Sequence, residues 1–153
     1  MKTLKFVSMG LVAFAIFGLM AFAQPGQTQE KKVDHMEHNV IMQDCAKACS
    51  DCQRACDLCA THCAHMLHEG KKDHLTTLAT CRDCATVCSA AAQIVARGGP
   101  FAGLICESCA KACDRCETAC EAFSDDEHMK SCAEECRKCE KACKAMVEHI
   151  AGK

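Results

Sequence analysis

Along four stretches of this chain the inward-facing positions recur at alternating steps of three and four, and at nearly every such position the residue is cysteine. Cys45, Cys49, Cys52, Cys56, Cys59 and Cys63 step 4-3-4-3-4, and Cys81, Cys84 and Cys88 step 3-4. Cys106, Cys109, Cys113, Cys116 and Cys120 step 3-4-3-4, and Cys132, Cys136, Cys139 and Cys143 step 4-3-4. An average step near three and a half is the seam of a helix facing other helices. The positions between agree: Asp44, Lys47, Ser50, Gln53 and Arg54 in the first stretch, and Glu134, Arg137, Lys138, Glu140 and Lys141 in the last, form polar outer faces. Alanines beside the seams, such as Ala46 and Ala60, permit close helix approach.

Breaks and caps divide the pattern into four helices, expected at about 34–69, 73–97, 101–122 and 125–151. Asp34 with Glu37 and Ser124 with Glu127 read as capping boxes, Asp73 as a cap, and Gly70 and Gly98-Gly99-Pro100 as stops. Short loops between successive helices imply antiparallel neighbours. The expected fold is therefore all-α, an antiparallel up-down-up-down four-helix bundle with a cysteine-lined core.

The amino terminus is different in kind. Lys2 and Lys5, an apolar run from Phe6, and Ala21-Phe22-Ala23 have the layout of a secretory signal peptide over residues 1–23, cleaved before Gln24. An uncleaved anchor is the alternative, since the run approaches spanning length. Cleavage would leave no membrane segment and would send the chain to the periplasm by general secretion. Residues 24–33, rich in Gln, Lys and Glu, read as a flexible leader to a single bundle domain over 34–153.

Composition changes the picture twice. Losing residues 1–23 removes two lysines and no acid, which leaves 16 basic residues against 20 acidic and gives no footprint for nucleic acid. It also removes four of the six phenylalanines; Phe101 and Phe123 remain, with no Trp or Tyr. A core so poor in large apolar groups needs another source of stability, and metal binding is one.

Three chemistries compete for a column of eighteen cysteines. Disulfides suit an exported chain, and a disulfide-bonded structural protein of the cell envelope is one reading; yet such cysteines usually staple small, loop-rich folds. Zinc or another thiophilic metal is a second, but four or five Zn²⁺ among eighteen thiolates would leave roughly eight to ten negative charges in the core. Iron–sulfur motifs with Cys-Pro are absent. Cu(I) is the third: soft thiolates select it, and it accepts two ligands. If each thiolate bridges two ions, the load approaches one ion per cysteine, on the order of eighteen, and the charges cancel.

With these strings of C-x-x-x-C and C-x-x-C, residues 35–150 resemble the bacterial four-helix-bundle copper storage proteins. The resemblance implies a tetramer of bundles, each filled with Cu(I) and loaded through one open end carrying Met and His. Copper donor or recipient proteins are the partners expected of such a store. Exported members of that family are similar to twin-arginine substrates, a pair that Lys2 and Lys5 do not supply.

Extending each seam places further soft ligands. His35, His38 and Met42 precede Cys45 in phase, and Met146 follows Cys143, so all four share one end and are the candidate entry ligands. Met66, His74 and Met129 share the other. Met66, Met129 and Met146 also suit simple core filling, as Met42 does at an apolar end. His62, His65, His68, His128 and His149 fall off the seam and read as solvent-facing. No catalytic constellation or phosphate loop emerges, so no enzyme is expected.

Overall fold

The computed structural model describes the backbone of residues 25–152 and the side chains of residues 38–152. The expected signal segment, residues 1–23, lies outside the described residues, as does the side chain of His35. Four helices make the fold: α1 (Pro25–His68), α2 (His74–Ala96), α3 (Ala102–Glu121) and α4 (Glu127–Ala151). Among the described residues there is no strand. Each of α1 and α3 packs on both α2 and α4, so the helices form a square in chain order.

The helix α1 starts at Pro25 rather than at Asp34. Residues 25–33, expected as a flexible leader, are helical backbone, and Asp34 is interior rather than a cap. Proline is pre-set for a first helical turn, and the Gln, Glu and Lys that follow are good helix formers. Two glycines end helices as the sequence suggested. Gly70 has φ 89° and Gly98 φ 61°, a conformation that costs other residues. Around Gly70, the Gly70 N–H donates to Leu67 O and the Lys71 N–H to Met66 O; around Gly98, Gly98 donates to Val95 O and Gly99 to Ile94 O. Both are Schellman stops.

The last helix is capped differently from expectation. Asp126, not Ser124, is the N-cap of α4, and its carboxylate accepts from the backbone N–H groups of His128 and Met129. Ser124 lies in the turn before it, too early to reach those donors. At α2, Asp73 makes no cap bond; its carboxylate accepts instead from the ring of His74, 3.0 Å away.

The core consists of the cysteines, small alanines, Val95, Met42, Met129 and Met146. In the reduced, metal-free protein the thiols pack as small hydrophobes. Outside, charges pair within one turn, as Lys111 with Glu107 at 2.7 Å, and between helices, as Arg137 of α4 with Glu117 of α3 at 2.6 Å.

Candidate metal centre

All eighteen cysteines are free and buried, none more than 1% exposed. Every one but Cys63 makes a sulfur–sulfur contact of 3.6–4.0 Å, and the contacts run between helices as well as along them.

The register explains why the column is continuous. Across the diagonal, Cys45 meets Cys106, Cys52 meets Cys113, Cys56 meets Cys116 and Cys59 meets Cys120, at 3.7–3.9 Å with sequence separations of 61, 61, 60 and 61. A constant separation is the mark of parallel helices in step. Between α1 and α4 the separation falls from 98 for Cys45–Cys143 to 90 for Cys49–Cys139, 84 for Cys52–Cys136 and 76 for Cys56–Cys132. That fall is antiparallel pairing. Because every seam uses the same three-and-four step, the four registers stay in phase along the axis.

The sulfurs gather in quartets whose atoms all lie within 4.8 Å of one another: Cys49/Cys109/Cys139/Cys143, Cys52/Cys56/Cys84/Cys136, Cys52/Cys84/Cys88/Cys113, Cys56/Cys116/Cys132/Cys136 and Cys59/Cys81/Cys120/Cys132 are among them. One quartet could surround a tetrahedral ion. The quartets overlap, however: Cys52, Cys56, Cys84, Cys132 and Cys136 each belong to two. Filling neighbouring quartets therefore requires thiolates that bridge metals, and a low-coordinate monovalent ion meets that with the least charge.

Burial shapes the acid–base chemistry. At the far end, burial pushes the Cys63 thiol up to about 11. At the near end, the contact with Cys143 lowers Cys106, but Cys45 and burial together raise it to about 12. Inside the column the shifts go both ways. Contacts with Cys113, Cys136, Cys139 and Cys56 hold Cys52 down, and contacts with Cys113, Cys116, Cys132 and Cys52 push Cys136 up. A thiolate here is solvated by neighbouring S–H groups rather than by water.

Both ends carry further candidate ligands, thioether and imidazole. At the first, Met42 is 7% exposed and Met146 fully buried, and the Met42 methyl reaches beneath the Gly98 turn. His38 Nδ1 stands 2.8 Å from His149 Nε2, with ring centroids 5.0 Å apart. His149, expected in solvent, is thus half-buried and paired; one more step of three beyond Met146 would have found it. At the other end, Met129 is fully buried and accepts from Cys59 Sγ at 3.3 Å. His62, also expected in solvent, bonds Asp126 at 2.7 Å and stacks on His128 at 4.5 Å. His74 is buried against Phe123, ring centroids 4.1 Å apart, and Met66 Sδ accepts from Lys71 Nζ at 3.2 Å. His65 and His68 are exposed in the last turn of α1, as expected.

A four-helix bundle whose core is an unbroken column of thiols, with thioethers and imidazoles at both ends, defines a protein that holds soft metal ions. The family model of the copper storage proteins matches residues 37–148, and the chain belongs to that family. Its relatives include an uncharacterized cysteine-rich protein of Bacillus subtilis (strain 168), YhjQ, 36% identical over 85 residues that span 54% of this chain and 68% of that protein. Among solved structures, the cytosolic copper storage protein of Streptomyces lividans with five coppers is 29% identical with a TM-score of 0.67, over 72% of this chain and 95% of that one. The Cu(I)-bound copper storage protein BsCsp3 is 31% identical with a TM-score of 0.63, over 70% and 98%.

Proposed function

We propose that this chain stores Cu(I) along its whole cysteine column, with all eighteen thiols as ligands, and that the ions enter at the end carrying His35, His38, Met42 and Met146. The observation that carries the reading is the continuity of the column: buried free thiols in quartets that share members or are joined by a sulfur contact, as Cys88 to Cys109 at 3.6 Å. Copper captured by imidazole and thioether at the mouth passes to Cys45, Cys106 and Cys143, then onward by exchange between neighbouring sulfurs. The stored ion serves either a copper enzyme or protection against excess metal, since both use the same site.

Export belongs to the same proposal. The charged start, apolar run and Ala-x-Ala ending support a cleaved signal over residues 1–23 and a periplasmic bundle over 34–153. No helix among the described residues is long and apolar enough to cross a membrane. Sequencing the amino terminus of the protein recovered from a periplasmic extract tests this, with Gln24 expected first. A homo-oligomer, a tetramer by family likeness, exchanges copper with donor and recipient proteins; native mass spectrometry reads its order. A storage role involves no turnover of substrate, so the chain is proposed as a non-enzyme.

The decisive experiment titrates the reduced protein anaerobically with Cu(I) against a competing chelator, beside a thiol assay of the protein as isolated. Saturation well above about five metals per chain is expected, and saturation below that with zinc preferred would sink the reading. Fully oxidised thiols in native material would support the disulfide scaffold. Joint substitution His38→Ala and Met42→Leu slows loading and release; unchanged rates remove the entry assignment.

A further inference from the structure

The first end of the column sets two features side by side. One is a pair of imidazole nitrogens 2.8 Å apart, His38 Nδ1 and His149 Nε2, where α1 and α4 meet. Imidazole is a better ligand for Cu(II) than thioether is, and two nitrogens on facing helices make a site for the harder ion. The other is the sulfur trio immediately inside. Cys45 Sγ lies 3.7 Å from Cys106 Sγ and 4.0 Å from Cys143 Sγ, and all three side chains are at most 1% exposed. From His38 to Cys45 is seven residues of one helix, about 10 Å of rise, with Met42 between them. The order inward is therefore nitrogen, thioether, thiol, from the ligands that suit Cu(II) to those that suit Cu(I).

We infer that the chain accepts Cu(II) at the His38–His149 pair and reduces it with its own thiols before storing it. This rests on the copper storage reading and adds a redox step at its mouth. Two Cu(II) ions take one electron each; Cys45 and Cys143 lose their two S–H bonds and gain one S–S bond, and two protons pass to solvent. The balance is 2 Cu(II) + 2 R–SH → 2 Cu(I) + R–S–S–R + 2 H⁺, with Cu(II) as the oxidant and the cysteine pair as the reductant. The sulfurs must close from 4.0 Å to bonding distance, about 2.05 Å, between side chains of the adjacent helices α1 and α4. The soft column drives the step, because it binds the product ion far better than the reactant. Cys45, Cys106 and Cys143 are the thiols nearest the imidazole pair along the bundle axis, so the mouth thiols are the first to be consumed.

The test mixes the reduced full bundle, anaerobically, with Cu(II) supplied as its weak glycine complex. Three quantities are followed: the Cu(II) electron paramagnetic resonance signal, the Cu(I) released into a colorimetric chelator after denaturation, and the free thiols. The expected result is an early signal with nitrogen splitting that decays as one thiol disappears per Cu(I) formed, with peptide mapping placing the first disulfide among Cys45, Cys106 and Cys143. His149→Gln, which keeps a hydrogen-bonding side chain beside His38, loses the nitrogen splitting of the second imidazole and reduces Cu(II) about tenfold more slowly, as expected when one ligand of a pair is lost. His68→Ala, at an exposed position on the opposite end, reduces at the unsubstituted rate. A persistent Cu(II) signal with no thiol loss overturns the inference, and so does decay that His149→Gln leaves unchanged or a first disulfide among Cys59, Cys81 and Cys120. Direct Cu(I) loading of the same unsubstituted sample separates the readings: a high Cu(I) capacity without Cu(II) reduction refutes this step alone, whereas a low capacity refutes storage itself.

Discussion

The thiols of Cys63 and Cys106, at the two ends of the column, keep their protons longer than they would in an unfolded chain, and the consequence has a definite sign. Cys63 and Cys106 are raised from 9.0 to about 11 and about 12. A raised value means that the folded state binds the proton more tightly, so the stabilisation is complete below about pH 9 and is lost as pH climbs through 11 to 12. Urea melts of the reduced protein in chelator should give a flat midpoint up to pH 9 and a falling one above it; a flat midpoint to pH 12 would contradict the assignment. Copper acts on the same protons in the opposite direction. Each thiolate bound displaces a proton, so affinity weakens about tenfold per pH unit of acidification for each proton displaced, which competition titrations at two pH values measure. The burial of all eighteen cysteines was legible in the sequence because phase alone turns them inward. The pairing of His149 with His38 and of His62 with Asp126 was not, because these partners lie 111 and 64 residues apart and no local spacing announces such a meeting.

The helices were read from sequence with different success at their two kinds of end. Stops at Gly70 and Gly98 were legible because a positive φ leaves glycine nearly alone in eligibility. Starts were not, since several residues near each start could cap: Ser124, Asp125 and Asp126 all precede α4, and only geometry selects Asp126. Asp126→Ala should therefore cost about 1–2 kcal/mol, plus whatever the His62 contact adds, whereas Ser124→Ala should stay within about 0.5 kcal/mol. Gly98→Ala should cost about 1–2 kcal/mol through backbone strain. Chemical denaturation of the three reduced variants checks the order, and a Ser124→Ala loss equal to that of Asp126→Ala would reverse the cap assignment. The α1 start was misjudged for a related reason: polar composition in residues 25–33 suggested flexibility, yet Gln, Glu and Lys favour helix when a helix already follows.

For the molecule as a whole, the bundle topology followed from loop lengths and stop signals, while the in-step diagonal between α1 and α3 did not, because helix phase says nothing of relative height. The assembled core has almost no large apolar side chains beyond Met and Val95, so the metal-free protein depends on thiol and alanine packing. Binding only to the folded state adds about 4 kcal/mol for one site held at a thousandfold above its Kd. Anaerobic loading should thus raise the melting temperature by about 15 °C or more, and calorimetry at increasing copper equivalents would show no rise if the ions sat on the surface instead.

The overlapping quartets have one more consequence, for traffic. A single-file channel is blocked by the loss of any station, but this lattice has detours. Cys113 touches Cys52 at 3.8 Å and Cys84 at 3.9 Å, and Cys84 shares a quartet with Cys56 and Cys136. With Cys52→Ser, an ion arriving at Cys113 still has a route by Cys84 to Cys136, so capacity should drop slightly while the far half of the column fills at nearly its usual rate. On the storage reading, the cysteine array is a woven conduit around Cys52, in which that one strand need not remain intact for cargo to pass.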